Sequence, residues 1–119
     1  MASQLDKKPK FKAALDGLSH VLKKDRSFQT MVFISLIVVI GSFILQLKLT
    51  DFVLLVFLCF VVMAFEMINS AIERLADQVD AKYNVHIGLL KDISAGAVLL
   101  VSLGALVVGI SVLIKYLGG

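Results

Sequence analysis

Three apolar runs constrain this chain more than anything else in it: residues 31–47, 52–65 and 93–114 contain no charged side chain. A helix needs about twenty mostly apolar residues to cross the hydrocarbon of a bilayer. With 59% apolar and only 18% charged residues in 119 positions, the chain has too little interior volume to hide that surface from water. Lipid is therefore the expected solvent. The backbone must satisfy its own hydrogen bonds there, so spans of this length must be helices. The second run continues through Glu66, Asn69 and Glu73 without a Gly or Pro break. One helix is expected over 52–79, flanked by others over 30–48 and 89–117. The whole chain, 1–119, reads as one all-α membrane domain.

The polar residues set the topology. Lys7, Lys8, Lys10, Lys12, Lys23, Lys24 and Arg26 precede the first run, and Arg74, Lys82 and Lys91 lie between the second and third. The positive-inside rule puts both regions on the cytoplasmic side, with the 46–51 turn and the C-terminus outside, as an odd number of spans requires. Nucleic acid is not expected as a partner, because little soluble surface remains to carry the net charge of +3. Within residues 1–28, a tail is followed by an amphipathic stretch in which Phe11, Ala14, Leu15, Leu18, Val21 and Leu22 recur at helical spacing, opposite Lys12, Asp16, His20 and Lys23. It reads as an interfacial helix on the cytoplasmic surface, or else as a soluble helix packed on a partner. No secretory signal is visible. Cys59 is the only cysteine, so no disulfide framework exists, and isolated His20 and His86 do not have zinc-site spacing.

Glu66, Asn69, Glu73, Asp77 and Asp80 follow at intervals of three, four, four and three residues, which puts them on one helix face. Counted from Phe52, the crossing ends near Ala71, so Glu66 and Asn69 lie just inside the interface while Glu73, Asp77 and Asp80 emerge into water. An ionisable group inside a span is costly and by default functional. Glu66 suits a proton acceptor or a proton-coupled transport residue. Asp77 and Asp80 read equally well as solvated helix-end charges, and Asn69 and Ser70 as interhelical hydrogen bonds. Lys91 and Asp92, expected to open the third long helix, read as a phosphate site at a helix N-terminus or as a snorkelling lysine beside a helix-start acid. Asp25 and Glu73 are both placed to reach a Mg²⁺ carrying nucleotide phosphates. No Walker A, dinucleotide or protein-kinase motif occurs.

The string Glu66-x-x-Asn69-Ser70-Ala71-Ile72-Glu73-x-x-x-Asp77, followed by Lys91-Asp92-Ile93-Ser94-Ala95-Gly96-Ala97-Val98, resembles the bacterial diacylglycerol kinase and undecaprenol kinase family. The resemblance covers nearly the whole chain, including the surface helix and three spans. It implies a multi-pass homotrimer of the bacterial inner membrane that phosphorylates a lipid hydroxyl with MgATP at the cytoplasmic face. By that resemblance Glu66 is the general base and contacts the lipid, and Asp25 and Glu73 hold Mg²⁺. Asp25, Asn69, Glu73, Asp77, Lys82, Tyr83, Asn84, Lys91 and Asp92 serve ATP, and Ala14, Gly17 and Ala95 border the lipid. Asp25 departs from the glutamate usual in the family, and Ala13 and Asp6 stand where some members carry tyrosine and arginine. The Ala95-Gly96-Ala97-Val98-Leu99 run is more similar to the undecaprenol branch; diacylglycerol is the alternative substrate. A small proton-coupled transporter using Glu66, or a non-catalytic membrane scaffold, are the alternatives of another class.

Overall fold

The computed structural model describes residues 8–79 and 84–118. Its elements are four α-helices: α1 (Lys10–Lys24), α2 (Arg26–Ile44), α3 (Leu49–Val79) and α4 (Val85–Leu117). The last three are long and apolar enough to cross a membrane, so the all-α membrane fold expected from the apolar runs is the fold observed.

Pro9 sits before the first turn of α1 and its carbonyl accepts the Ala13 N–H at 3.0 Å, a position where the missing proline donor costs nothing. Lys23 and Lys24 end the helix, complementing its dipole. Val21 is the one α1 residue buried in the protein, while Phe11, Leu15, Leu18 and Leu22 form an exposed apolar stripe. A stripe left open beside lysines fits a bilayer surface. Asp16 on the polar side pairs with Lys8 at 2.7 Å, and that hydrogen bond is the main reason its carboxyl titrates below the ordinary range.

A single extended residue, Asp25 (φ −107°, ψ 109°), separates α1 from α2. The elbow is held from the far side: the Gln29 side-chain nitrogen, one turn into α2, donates to the Leu22 and Lys23 carbonyls at 3.0 and 3.2 Å. Two of the carbonyls that α1 leaves open at its end are thereby satisfied. Phe28, three residues after Asp25, is buried at 3% exposure. Because Gln29 acts as a cap for one helix from inside the next, α2 begins at Arg26, earlier than the expected residue 30.

At its other end α2 stops at Ile44. The Leu47 N–H bonds the Ser42 carbonyl at 3.1 Å and the Gln46 N–H bonds the Phe43 carbonyl at 3.2 Å, which is the Schellman pattern. It requires a left-handed residue, and Gln46 supplies it with φ 55°. The Phe43 and Phe52 rings, 5.4 Å apart, close over this turn. The tight turn lets α3 start at Leu49, ahead of residue 52. Asn84 likewise starts α4 at Val85, ahead of residue 89, by accepting the His86 and Ile87 N–H groups at 2.9 and 3.4 Å.

Antiparallel α3 and α4 form the main packed pair, and α2 packs on the other flank of α3 without touching α4 among the described residues. The protein is consequently flat, 57 × 37 × 19 Å. Between α2 and α4, with α3 as floor, runs an apolar groove of about 700 Å³ lined by residues such as Met31, Leu58, Cys59, Val62 and Leu106.

Candidate active site

The α3–α4 pair is pinned at both ends. At the turn end, the Asp51 carboxylate accepts the Tyr116 hydroxyl at 2.6 Å and the Lys115 ammonium at 3.1 Å, while the Tyr116 oxygen accepts the Lys48 N–H at 2.9 Å. At the end nearest α1, Lys91 pairs with Asp77 at 2.7 Å and the Ser94 hydroxyl donates to the Asn69 side-chain oxygen at 2.7 Å. These links fix how far each α3 side chain lies from the turn end. Glu66 is fifteen residues beyond Asp51, or about 22 Å at the helical rise of 1.5 Å per residue. Glu73 is about 33 Å beyond Asp51 on the same basis. Against a hydrocarbon layer of about 30 Å, Glu66 falls inside its edge and Glu73 outside it.

The helix face read from the 66, 69, 73, 77 spacing is present. Asn69 donates its side-chain nitrogen to Glu73 at 3.4 Å, one turn along. Asp25, at the α1–α2 elbow, comes close to this face, since its charge and that of Glu73 both act on the Glu66 carboxylate. Asp25 and Glu66 are half-buried and Glu73 is exposed. Among the described residues neither the Asp25 nor the Glu66 carboxylate accepts a hydrogen bond or pairs with a cation; even the backbone N–H groups at the start of α2 donate none to the Asp25 side chain. Asp25 and Glu66 carry like charges without a paired cation among the described residues, and Glu73, which also acts on Lys91, adds a third negative charge, so the three repel. That arrangement suits an external cation. No group of three or more acidic, His or Cys ligands forms among the described residues. Two carboxylates nevertheless fit Mg²⁺, which keeps waters and substrate phosphates as its remaining ligands.

The other expected site residues distribute unevenly. Lys91 and Asp92 lie more than a turn inside α4, because Asn84 moves the helix start to Val85. The expectation that this pair opens the helix is thus corrected: the N–H groups at the start belong to residues 85–88, of which His86 and Ile87 donate to the Asn84 side chain and Gly88 to the Asn84 carbonyl at 2.7 Å. Lys91 still reaches the α3 face through Asp77, both of them partly exposed (36% and 61%). Asp92 is exposed and faces no cation among the described residues. Asn84 uses its side-chain oxygen to cap α4. Lys82, Tyr83 and Asp80 lie outside the described residues. Ala14 and Gly17 are exposed on α1, where a side chain added at Gly17 meets nothing within 4 Å. Ala95 is exposed on α4.

Two features were not read from the sequence. One is the contact of Ser94 with Asn69. The other is the Asp51, Lys115 and Tyr116 cluster, whose members are some 65 positions apart. The available signal was arithmetic: positions 51 and 116, 69 and 94, and 77 and 91 have nearly constant sums, as an antiparallel hairpin requires.

Residues 12–113 match the family described as prokaryotic diacylglycerol kinase. The diacylglycerol kinase of Synechocystis sp. is 31% identical over 100 residues, which are 83% of this chain and 57% of that protein. The chain thus spans little more than half the length of this relative.

Proposed function

The chain belongs to the prokaryotic diacylglycerol kinase family, and from that premise we propose that it is a lipid kinase. In this reading it transfers the γ-phosphate of ATP, with Mg²⁺, to the hydroxyl of a membrane lipid at the cytoplasmic face of a bacterial inner membrane. The observation that carries it is the group Asp25, Glu66 and Glu73: three neighbouring carboxylates straddling the hydrocarbon boundary, two of them without any donor or cation. A transporter acid would need a pathway through the membrane. A scaffold would have no use for unpaired carboxylates at the cost they carry.

The division of labour follows from depth and partners. Glu66, at the level of a lipid headgroup, accepts the proton of the lipid hydroxyl as its oxygen bonds to the γ-phosphorus and the bond to ADP breaks. Asp25 and Glu73 would hold Mg²⁺, which would supply positive charge against the phosphates. Lys91 turns from Asp77 to the phosphates, a point charge on a flexible stem suited to that exchange. Asp77 holds Lys91 at the site between turnovers, and Asn69 holds Glu73. Asp92, Asn84, Lys82 and Tyr83 border the nucleotide, and Ala14, Gly17 and Ala95 the lipid. Since phosphoryl transfer is mostly positioning and charge stabilisation, these parts are sufficient. A homotrimer completes the site between protomers and covers the apolar faces that one flat protomer leaves open.

We infer undecaprenol as the preferred acceptor, because the Ala95–Leu99 run resembles that branch; the name of the Synechocystis relative favours diacylglycerol. Transfer of ³²P from labelled ATP to each lipid in defined micelles tests both statements. Label in undecaprenyl phosphate supports the preferred reading and label in phosphatidic acid the second. Label in neither removes the kinase assignment.

A further inference from the structure

Three hydroxyl side chains on these long helices bond the backbone of their own helix. Thr30 donates to the Arg26 carbonyl at 3.0 Å, Ser42 to Val38 at 2.8 Å and Ser111 to Val107 at 2.8 Å, each four residues back on its own helix. That bond satisfies the hydroxyl locally and needs no neighbour. Ser94 departs from it. Buried at 8% exposure, it reaches from α4 to α3 and donates to the Asn69 side-chain oxygen at 2.7 Å.

The choice of partner has a geometric consequence. An asparagine side chain has one acceptor oxygen and one donor nitrogen on a rigid plane. When the oxygen is engaged by a hydroxyl on one side, the nitrogen is turned to the other, and here it meets Glu73 at 3.4 Å. We propose that Ser94 is a positioning residue: by holding the Asn69 oxygen it turns the Asn69 nitrogen onto Glu73 and so aims that carboxylate. This rests on the reading of Glu73 as a metal ligand. Groups that orient a metal-binding side chain from behind commonly change metal affinity by 10–100-fold when removed. A contact of 3.4 Å biases the carboxylate without locking it, so the lower end of that range, about tenfold, is expected.

The test compares wild type with Ser94→Ala, Ser94→Thr and, as a control on a hydroxyl bonded within its own helix, Ser111→Ala. Two quantities are read on the full chain in micelles. One is the Mg²⁺ concentration giving half-maximal lipid phosphorylation. The other is Mn²⁺ binding in the absence of nucleotide, followed by electron paramagnetic resonance. Ser94→Ala is expected to raise both half-saturation values five- to tenfold with kcat at saturating metal within twofold of wild type. Ser94→Thr, which keeps the hydroxyl, restores both, and Ser111→Ala moves neither. Unshifted metal curves in folded Ser94→Ala, a fall in kcat alone, or a wild type that binds no Mn²⁺ overturns the proposal. Should wild type bind Mn²⁺ yet label no lipid, the kinase reading fails, and the Mn²⁺ shift on its own decides the role of Ser94.

Discussion

The two ends of the α3–α4 pair use the same residue types for opposite ends. At the turn end Asp51 has an ammonium and a phenol on one carboxylate oxygen, and the phenol in turn takes a backbone N–H. Asp51, Lys115 and Tyr116 there all have partners within the chain. Near α1, the Asp25 and Glu66 carboxylates have none among the described residues, Glu73 has one long hydrogen bond and the more distant charge of Lys91, and Lys91 rests on a partly exposed acid. An acid whose partners are all internal stabilises the fold. Unpartnered acids are electrostatically unsatisfied until something else arrives, which is what a binding site requires.

Substitutions at the two ends should therefore separate activity from stability. The largest effect belongs to Glu66→Gln. Lipid phosphorylation is expected to fall by at least about 100-fold, the scale of a lost general base, while the thermal midpoint holds or rises as a repelling charge disappears. If a folded Glu66→Gln protein keeps full turnover, the contrast between the ends collapses. Tyr116→Phe is the mirror experiment. It strips Asp51 of a donor and the Lys48 N–H of an acceptor, so a loss of about 1–3 kcal/mol of stability is expected, with kcat and KM of the surviving folded protein unchanged. Denaturation in mixed micelles with parallel kinetics reads both.

Gln46→Gly sharpens the same contrast from the opposite direction. Gln46 is the one non-glycine residue with positive φ among those described, and glycine is the preferred residue at that position of a Schellman turn. Removing the strain of a left-handed side chain, net of glycine's greater chain entropy, should stabilise the protein by about 0.5–1 kcal/mol, visible as a raised midpoint with unaltered metal dependence. The smallest effect is expected for Asp77→Asn. An exposed ion pair contributes about 0–1 kcal/mol, so stability scarcely moves, but Lys91 loses its resting partner and KM for ATP rises roughly threefold, about 0.65 kcal/mol by RT ln 3.

Much of this was legible in the amino-acid order because it depends on one helix at a time. Run length gives the three spans, and the spacing of Phe11, Leu15, Leu18 and Leu22 gives the surface helix. Four-residue spacing puts Asn69 beside Glu73. What could not be read depends on how two helices meet. Ser94 finds Asn69, and Tyr116 finds Asp51, only because α3 and α4 stand in one particular register. A slip of one residue turns a side chain by about 100° and destroys both contacts. The helix starts were misjudged for a related reason. His86 and Gly88 look like loop until Asn84 is seen capping them, and Gln29 falls between the expected surface segment and the expected first span until it is seen serving the helix before it.

Pinning α3 to α4 near both extremities has a mechanical consequence. The hairpin is a gauge of set length, because its two helices cannot slide past each other to shorten or extend. A bilayer of different thickness must therefore deform or tilt the protein, and either response shifts Glu66 up or down relative to the headgroups. If Glu66 is the base proposed above, acyl-chain length in the surrounding lipid becomes a control on how closely a lipid hydroxyl approaches it.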